Sequence, residues 1–398
     1  MTDIQHQITQ ATEALFQRVK AHREQMHQFP ELSFKEHNTS AYVSNVLSEI
    51  GIPHEKNVAG TGVVAMIRSD QHADDMQCIG LRSELDALPI CEQNNVPYKS
   101  SVDGVMHACG HDVHTAILLG CAEILWKNRE LLKQPVKLIF QPGEEQAPGG
   151  ASLMVKAGVL NNPPVRELYA LHVFPELEVG KIGFKAGLYM ASCDELHLTI
   201  HGKGGHAAMP HQTIDPIAIG AQLITSLQQI VSRKADPKIP TVLSFGHFEA
   251  IGATNVIPEK AMLKGTFRTM NEAWRAEALQ LIEQITHSMC AQYGAQAELN
   301  IVKGYPFLEN DCELTQKAQS LTRTYLGEEN VVDLPIRLTS EDFSFYAQEI
   351  PVCFFRLGVG NVAKGITHGV HHPKFNIDDH ALVVGMRAMC LIAMQEYE

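Results

Sequence analysis

The chain is 398 residues long, enough for two domains, and its composition, 45% hydrophobic and 19% charged, is that of an ordinary globular protein. With 45 acidic against 32 basic side chains it carries a net charge of −13, which argues against a nucleic-acid or anionic-membrane partner, since either needs a basic field. No apolar run approaches the roughly 20 residues that a bilayer span requires.

The first residues, MTDIQHQ, are polar and lack the apolar core of a secretion signal. Next, ITQATEALFQRVKAHREQMHQF places apolar side chains at helical spacing and stops at PEL. NTSAYVSNVLSEIGI predicts a second helix, with Asn38 or Thr39 as its cap and Gly51 at its end. Four short apolar runs follow, GVVAMI, CIGLRSELDALPI, VKLIFQPGEE and LYALHVF. Helical stretches such as HTAILLGCAEILWKN, beginning near His114, are interleaved with them. This alternation predicts an α/β fold, a mostly parallel sheet flanked by helices.

From about Lys185 the texture changes. DELHLTIHGKGG, PIAIGAQLITSLQQIVSRK, TVLSFGHFEAIG, KAMLKGTFRTM, RAEALQLIEQITHSMCAQYG and AQAELNIVKGY read as strand, helix, strand, strand, helix, strand. That is a self-contained α+β unit of βαββαβ order, one sheet with helices on one side. The α/β pattern then resumes in ELTQKAQSLTRTYLG, VCFFRLGVG and the closing helix HALVVGMRAMCLIAMQEY. The expected organisation is therefore one domain made of residues 1–185 and 304–398, interrupted by an insertion over 186–303. Nine cysteines, an odd number at irregular spacing with no CxxC pair, read as reduced thiols in a cytoplasm.

In such a fold, groups that act on a ligand gather at the carboxyl ends of the parallel strands. The suggestive residues fall at such ends. Cys109 and His111 flank Gly110, whose backbone freedom can turn both side chains to one ion, and thiolate with imidazole suits zinc and neighbouring divalent metals. Glu144 and Glu145 follow the strand VKLIFQ; adjacent carboxylates repel unless one binds a cation and the other takes a proton from water. His172 lies in LYALHVF, and GVHHP follows CFFRLGVG. Three readings stay open on these residues alone: a metal site, a cysteine nucleophile with His107 or His111 as its base, and a polar loop that happens to be histidine-rich. The cysteine reading leaves the glutamate pair, His172 and His371 without a role.

Nine segments in order, HREQMHQFPELSFKEHNTSAYV, GLRSELDALPI, MHACGHDVHTAILLG, LIFQPGEEQAPGGASLMVKAGVL, ALHVFP, HGKGGHAAMPH, TNVIPEKAMLKGTFRT, TSEDFSFY and HHPKFNIDD, resemble the metal-dependent amidohydrolases. That group includes hippurate hydrolase, N-acyl-amino-acid deacylases and auxin-conjugate hydrolases, a branch of the aminoacylase and carboxypeptidase superfamily. The resemblance spans nearly the whole chain. It implies a catalytic domain interrupted by a lid and dimerisation domain, and two divalent ions, manganese or zinc with cobalt or nickel as alternatives. Cys109, His111, Glu145, His172 and His371 would hold them, with Cys109 bridging so that each ion has three protein contacts. Glu144 would be the general base, and Asp86 and Asp112 either support the ligands or are structural.

In the insertion, His206, Asn255 and Arg268 match positions that face the substrate. Arg268 would grip an α-carboxylate and His206 an oxyanion, within a homodimer formed through the lid. The implied substrate is an N-acyl amino acid, cleaved at its amide bond. A dipeptidase or aminopeptidase on short peptides, or a non-catalytic binder of acylated amino acids, are the alternatives. Two departures from the family's pattern stand out: VHHP, in which His372 competes with His371 as ligand, and Thr339 where glycine is frequent.

Overall fold

The computed structural model describes residues 3–73 and 75–394. The end of the expected closing helix, residues 395–397, lies outside the described residues. Two compact units emerge, Met1–Gly187 with Glu309–Pro335 and Asp342–Glu398, and Leu188–Leu308 with Ile336–Glu341. The second unit thus runs past 303 and takes in a later segment. That segment carries no periodic pattern; main-chain pairing ties it in, Arg337 N–H to the Tyr189 carbonyl at 2.8 Å and Ala191 N–H to the Thr339 carbonyl at 3.1 Å.

The first unit is built on an eight-stranded sheet in the order His54–Val58, Gly62–Ile67, Val136–Gln141, Cys78–Glu84, Val165–Glu178, Val352–Gly360, Ile182–Phe184, Val331–Asp333. The four middle strands, Val136–Gln141 to Val352–Gly360, run parallel to one another. GVVAMI departs from that direction, pairing antiparallel with Val136–Gln141. Val136–Gln141, Cys78–Glu84 and Val352–Gly360 are buried at every position, as expected of parallel strands covered on both faces. The helices Asp3–Gln28, His111–Lys127 and His380–Met394 contribute much of this core, including Val19, Ile117, Leu118, Leu382 and Met389.

The second unit has a four-stranded antiparallel sheet in the order Thr241–Glu249, Lys260–Thr269, Asp194–His201, Gln296–Lys303. Its own core joins Leu196, Leu198 and Leu263 to side chains of the helices Pro216–Gln229 and Glu272–Gln292, among them Leu223, Leu227 and Ile282. No described helix of either unit is long and apolar enough to cross a membrane.

Two helix starts differ from the sequence reading. The second helix begins at His37, and neither Asn38 nor Thr39 caps it from outside. Instead the Glu31 carboxylate reaches over its first turn, accepting from Asn38 N–H at 3.1 Å, Thr39 N–H at 2.8 Å and the Thr39 hydroxyl at 2.9 Å. A carboxylate from before the helix does the work of an N-cap and complements the helix dipole. Gly51 ends that helix in the left-handed region, as expected. The third helix starts at His111, not near His114, after Gly110 in the left-handed conformation, φ 82°. A Cβ at Gly110 would meet Val173 Cγ2 at 2.5 Å, so both backbone angle and packing call for glycine.

The cap assignment is testable by urea unfolding. Glu31→Ala should cost about 1–2 kcal/mol, the value of a lost N-cap, and Asn38→Ala only a few tenths. Equal losses would return the cap to Asn38.

Candidate metal centre

The parallel strands deliver their functional residues at or near their carboxyl ends. Cys78–Glu84 runs on into Asp86, and Val136–Gln141 into Pro142, Gly143, Glu144 and Glu145. His172 sits within Val165–Glu178, paired in register with Arg356. His371 comes from the loop after Val352–Gly360, anchored by its N–H to the Ala108 carbonyl at 2.8 Å. His371 is also a non-glycine residue at φ 64°. That conformation costs energy and is held by its surroundings.

The turn carrying the glutamates is supported from the segment PELSFKE. Glu36, fully buried, accepts Gly143 N–H at 2.8 Å, Phe34 N–H at 2.8 Å and the Thr61 hydroxyl at 2.5 Å. Gly143 sits at φ 55°, where any side chain would collide with the Phe34 ring.

Three of the groups whose donor atoms lie within 4.8 Å of one another hold the expected residues: Cys109, His111 and His172; Cys109, Glu145 and His371; His111, Glu144 and Glu145. Cys109 is common to the first two, the sharing that a bridging ligand needs. Its Sγ lies 3.3 Å from His172 Nε2, and His371 Nε2 lies 3.3 Å from Glu145 Oε1. His111 Nε2 is 4.0 Å from Glu144 Oε2. The structure therefore gathers the five expected ligands and Glu144 in one cluster. His372 takes no part, for its ring stacks on His368 with centroids 4.2 Å apart and its Nδ1 accepts from Lys374 N–H at 3.0 Å.

The imidazoles are oriented from behind. His111 donates Nδ1–H to the Asp86 carbonyl at 2.8 Å, with the Asp86 carboxylate at 3.2 Å, which turns Nε2 into the cluster. His172 donates Nδ1–H to the Val173 carbonyl at 2.8 Å, which turns its Nε2 toward the thiol. A backbone or carboxylate acceptor behind the ring is the usual setting of a metal-binding histidine. His111 Nε2 is buried with no hydrogen-bond partner among the described residues, an expensive state unless an ion claims it.

Asp86 is a supporting group: besides His111 it accepts the Ser33 hydroxyl at 2.6 Å and Glu145 N–H at 2.9 Å, tying one candidate ligand's ring to another's main chain. Asp112 is structural, accepting from His27 Nδ1 at 2.8 Å and Arg23 Nε at 3.2 Å. His107 is buried and held as the neutral ring, its pKa pushed down to about 4 by burial.

Another grouping, Glu84, His111 and His114, fails as a site. His114 has spent both nitrogens, donating Nδ1–H to Glu84 at 2.8 Å and accepting Val173 N–H on Nε2 at 2.9 Å. Sequence reasoning misses Glu84 and His114, together with Arg82 and Asp342. The signal is present: in GLRSELDALPI, Arg82 and Glu84 alternate with Leu81, Ser83 and Leu85, so both face one side of the strand.

The local charge is strongly negative. Burial disfavours the charged His111 ring, but the Asp86, Glu84 and Glu145 carboxylates outweigh it and push the pKa up to about 10. A field that holds a proton there equally favours a cation.

In the second unit, His206 and Asn255 are neighbours across the short ladder of Gly205–His206 with Val256–Ile257, where Ala207 N–H reaches the Asn255 carbonyl at 2.9 Å. Both side chains are exposed. Arg268 lies on the strand Lys260–Thr269 and donates Nη1–H to the Leu338 carbonyl at 2.9 Å.

Residues 80–395 match the peptidase family M20/M25/M40. The chain belongs to that family. It is 38% identical over 389 residues to an N-acetylcysteine deacetylase of Bacillus subtilis, covering 96% of this chain and 98% of the relative. Identity is also 38%, over 376 residues and 94% of each chain, with a thermostable carboxypeptidase of Saccharolobus solfataricus. A solved Bacillus subtilis structure, described as a dinuclear metal-binding peptidase of the M20 family, superposes with a TM-score of 0.81 at 35% identity, covering 96% of this chain and 98% of that one.

The His111 proton gives a direct test of cation binding. With a pKa near 10 in the metal-free state, the ring is protonated at neutral pH and must lose that proton to bind. Apparent metal affinity should rise with pH between about 6 and 8, and calorimetry in buffers of different ionisation enthalpy should detect at least about one proton released per protein. Affinity independent of pH with no proton release would remove His111 from the ligand set.

Proposed function

We propose that this protein is a metal-dependent hydrolase that cleaves the amide bond of N-acyl amino acids. The observation that carries the reading is the shared cluster: one thiol, three imidazoles and one carboxylate converge, with a second carboxylate, Glu144, beside them. Cys109, His111, Glu145, His172 and His371 are the residues that would hold two divalent ions, manganese or zinc, and Cys109 would be placed to serve both. Ions held there would polarise the scissile carbonyl and make water a better nucleophile near neutral pH.

Glu144 has the protein's part of the chemistry. Its Oε1 lies 3.4 Å from the Asp342 amide, leaving Oε2 on the His111 side. A carboxylate held in this way removes the proton from the attacking water and returns it to the departing amine nitrogen. The two named relatives fit one bond type. A carboxypeptidase and an N-acyl-amino-acid deacylase both cut an acyl–NH bond whose amine side carries a free α-carboxylate. Arg268 is the proposed partner of that carboxylate, with His206 and Asn255 as substrate contacts in a lid formed by the second unit. Exposed Met209, Phe248, Ile251 and Val256 on that unit support a homodimer formed through it.

One contact favours a second reading, because Cys109 Sγ at 3.3 Å from His172 Nε2 is also the geometry of a thiol with its base. Cys109→Ser separates the two. A ligand role lowers the bound metal; a nucleophile role leaves metal stoichiometric while activity vanishes.

The deciding experiment is metal analysis of the purified protein with a release assay over a panel of N-acetyl, N-benzoyl and longer N-acyl amino acids and dipeptides. Glu144→Gln should retain the metal while kcat falls about 10²–10⁴-fold, the usual contribution of a general base. Wild-type turnover in that variant would reject Glu144, and full activity after chelation would reject the metallohydrolase reading itself.

A further inference from the structure

Behind the proposed ligands lies a buried ionic network that the hydrolytic scheme does not use. Its centre is Arg82, whose side chain is wholly buried in the strand Cys78–Glu84. The guanidinium donates Nη1–H to the Glu84 carboxylate, Nε–H to Gln141 Oε1 at 3.0 Å and Nη2–H to Asp342 Oδ1 at 2.7 Å.

Each of the two carboxylates leads to a different part of the cluster. Glu84 accepts from His114 Nδ1, His114 Nε2 accepts Val173 N–H, and the Val173 carbonyl accepts from His172 Nδ1. Glu84 and His114 thus fix the backbone residue that sets the direction of the His172 ring. On the other side, Asp342 accepts from Gln141 Nε2 at 2.8 and 2.9 Å and from Ala151 N–H at 2.9 Å, while its own amide faces Glu144 Oε1. Gln141 is also the last residue of the strand that runs into the glutamate turn.

We propose that Arg82 is a positioning residue holding two halves of the centre in register, His172 through Glu84 and His114, and Glu144 through Asp342. The inference rests on the metallohydrolase reading above. Only a planar fork can meet both carboxylates and Gln141 at once, so lysine is not an equivalent replacement. The competing role is charge neutralisation alone, which would act on stability and not on the two halves separately.

The test uses full-length Glu84→Gln, Asp342→Asn and Arg82→Lys. It reads the Co²⁺ dissociation constant by competition with a chromophoric chelator, kcat and KM at saturating Co²⁺, and the thermal midpoint. Glu84→Gln should weaken Co²⁺ binding about tenfold or more with kcat held within about threefold. Asp342→Asn should lower kcat about tenfold or more at unchanged KM, with Co²⁺ affinity within about threefold. Arg82→Lys should show both defects.

Three variants that match wild type, or that lose Co²⁺ affinity and kcat in parallel with a falling midpoint, would overturn the positioning role. If Arg82→Lys does not fold, the near-isosteric Glu84→Gln and Asp342→Asn pair still reports the split. Wild-type protein that binds no Co²⁺ sinks the metallohydrolase reading before any substitution is made. Wild type that binds it while the variants show no split sinks only the role of Arg82.

Discussion

The architecture turns on one electrostatic constraint: several carboxylates are gathered where water cannot solvate them. Glu84, Asp86 and Glu144 are buried and Glu145 nearly so, at the ends of two neighbouring parallel strands. Uncompensated, each would carry a penalty of several kcal/mol or take up a proton. The fold compensates part of this charge itself. Burial raises the Glu84 pKa, but Arg82 and His114 more than reverse the effect and hold it well below the usual carboxylate range. Asp86 is likewise kept ionised against burial by His111, Ser33 and the Glu145 amide. The negative charge left over sits on the cluster side, which makes the cluster a cation site before any ion arrives.

That constraint explains segments that otherwise look incidental. PELSFKE contributes no proposed ligand, yet Ser33 holds Asp86 and Glu36 holds Gly143, so the segment fixes both the acceptor behind His111 and the turn that presents Glu144. Glu31, from the same seven residues, organises the helix that follows. Some of the left-handed backbone conformations fall here as well. Phe34, Gly110, Gly143 and His371 all have positive φ, and each lies beside or within the proposed centre. Strain of this kind persists where neighbouring contacts over-determine the chain, and at this site the hydrogen bonds and packing of the loops do so.

Much of this was legible in the sequence, for identifiable reasons. The α/β alternation and the βαββαβ insertion are periodic patterns, and Cys109, His111, Glu144, Glu145, His172 and His371 are conspicuous because polar residues interrupt apolar runs. Features made by contacts between distant residues were hidden. Nothing local reveals that Glu31 caps a helix beginning six residues later, or that the segment Ile336–Glu341 joins the second unit by main-chain pairing. The sequence pattern puts the start of the third helix near His114 because Gly110, with its backbone freedom, reads as part of the preceding turn. It is instead the left-handed residue that opens the helix and puts His111 in its first turn. Asp112 sits beside a proposed ligand in sequence yet points away, to Arg23 and His27, because successive helical residues diverge by about 100°.

The burial of the proposed ligands is graded, and the gradient bears on how the centre meets its substrate. Cys109, His111 and His172 are buried, Glu145 is nearly buried, and His371 is exposed on a loop. The first three are set by a strand, a helix start and hydrogen bonds behind each ring, so their geometry is fixed by the core. His371 depends on one main-chain bond to Ala108 and on its own strained backbone. The rigid side is the one a core can supply, and the open side is where an acyl group and attacking water must enter. Glu144, the proposed general base, is buried, with its Oε1 facing the Asp342 amide and its Oε2 facing His111. The proposed role asks for such a held carboxylate, since a proton carrier must meet water at one moment and the departing nitrogen at the next without its own support moving.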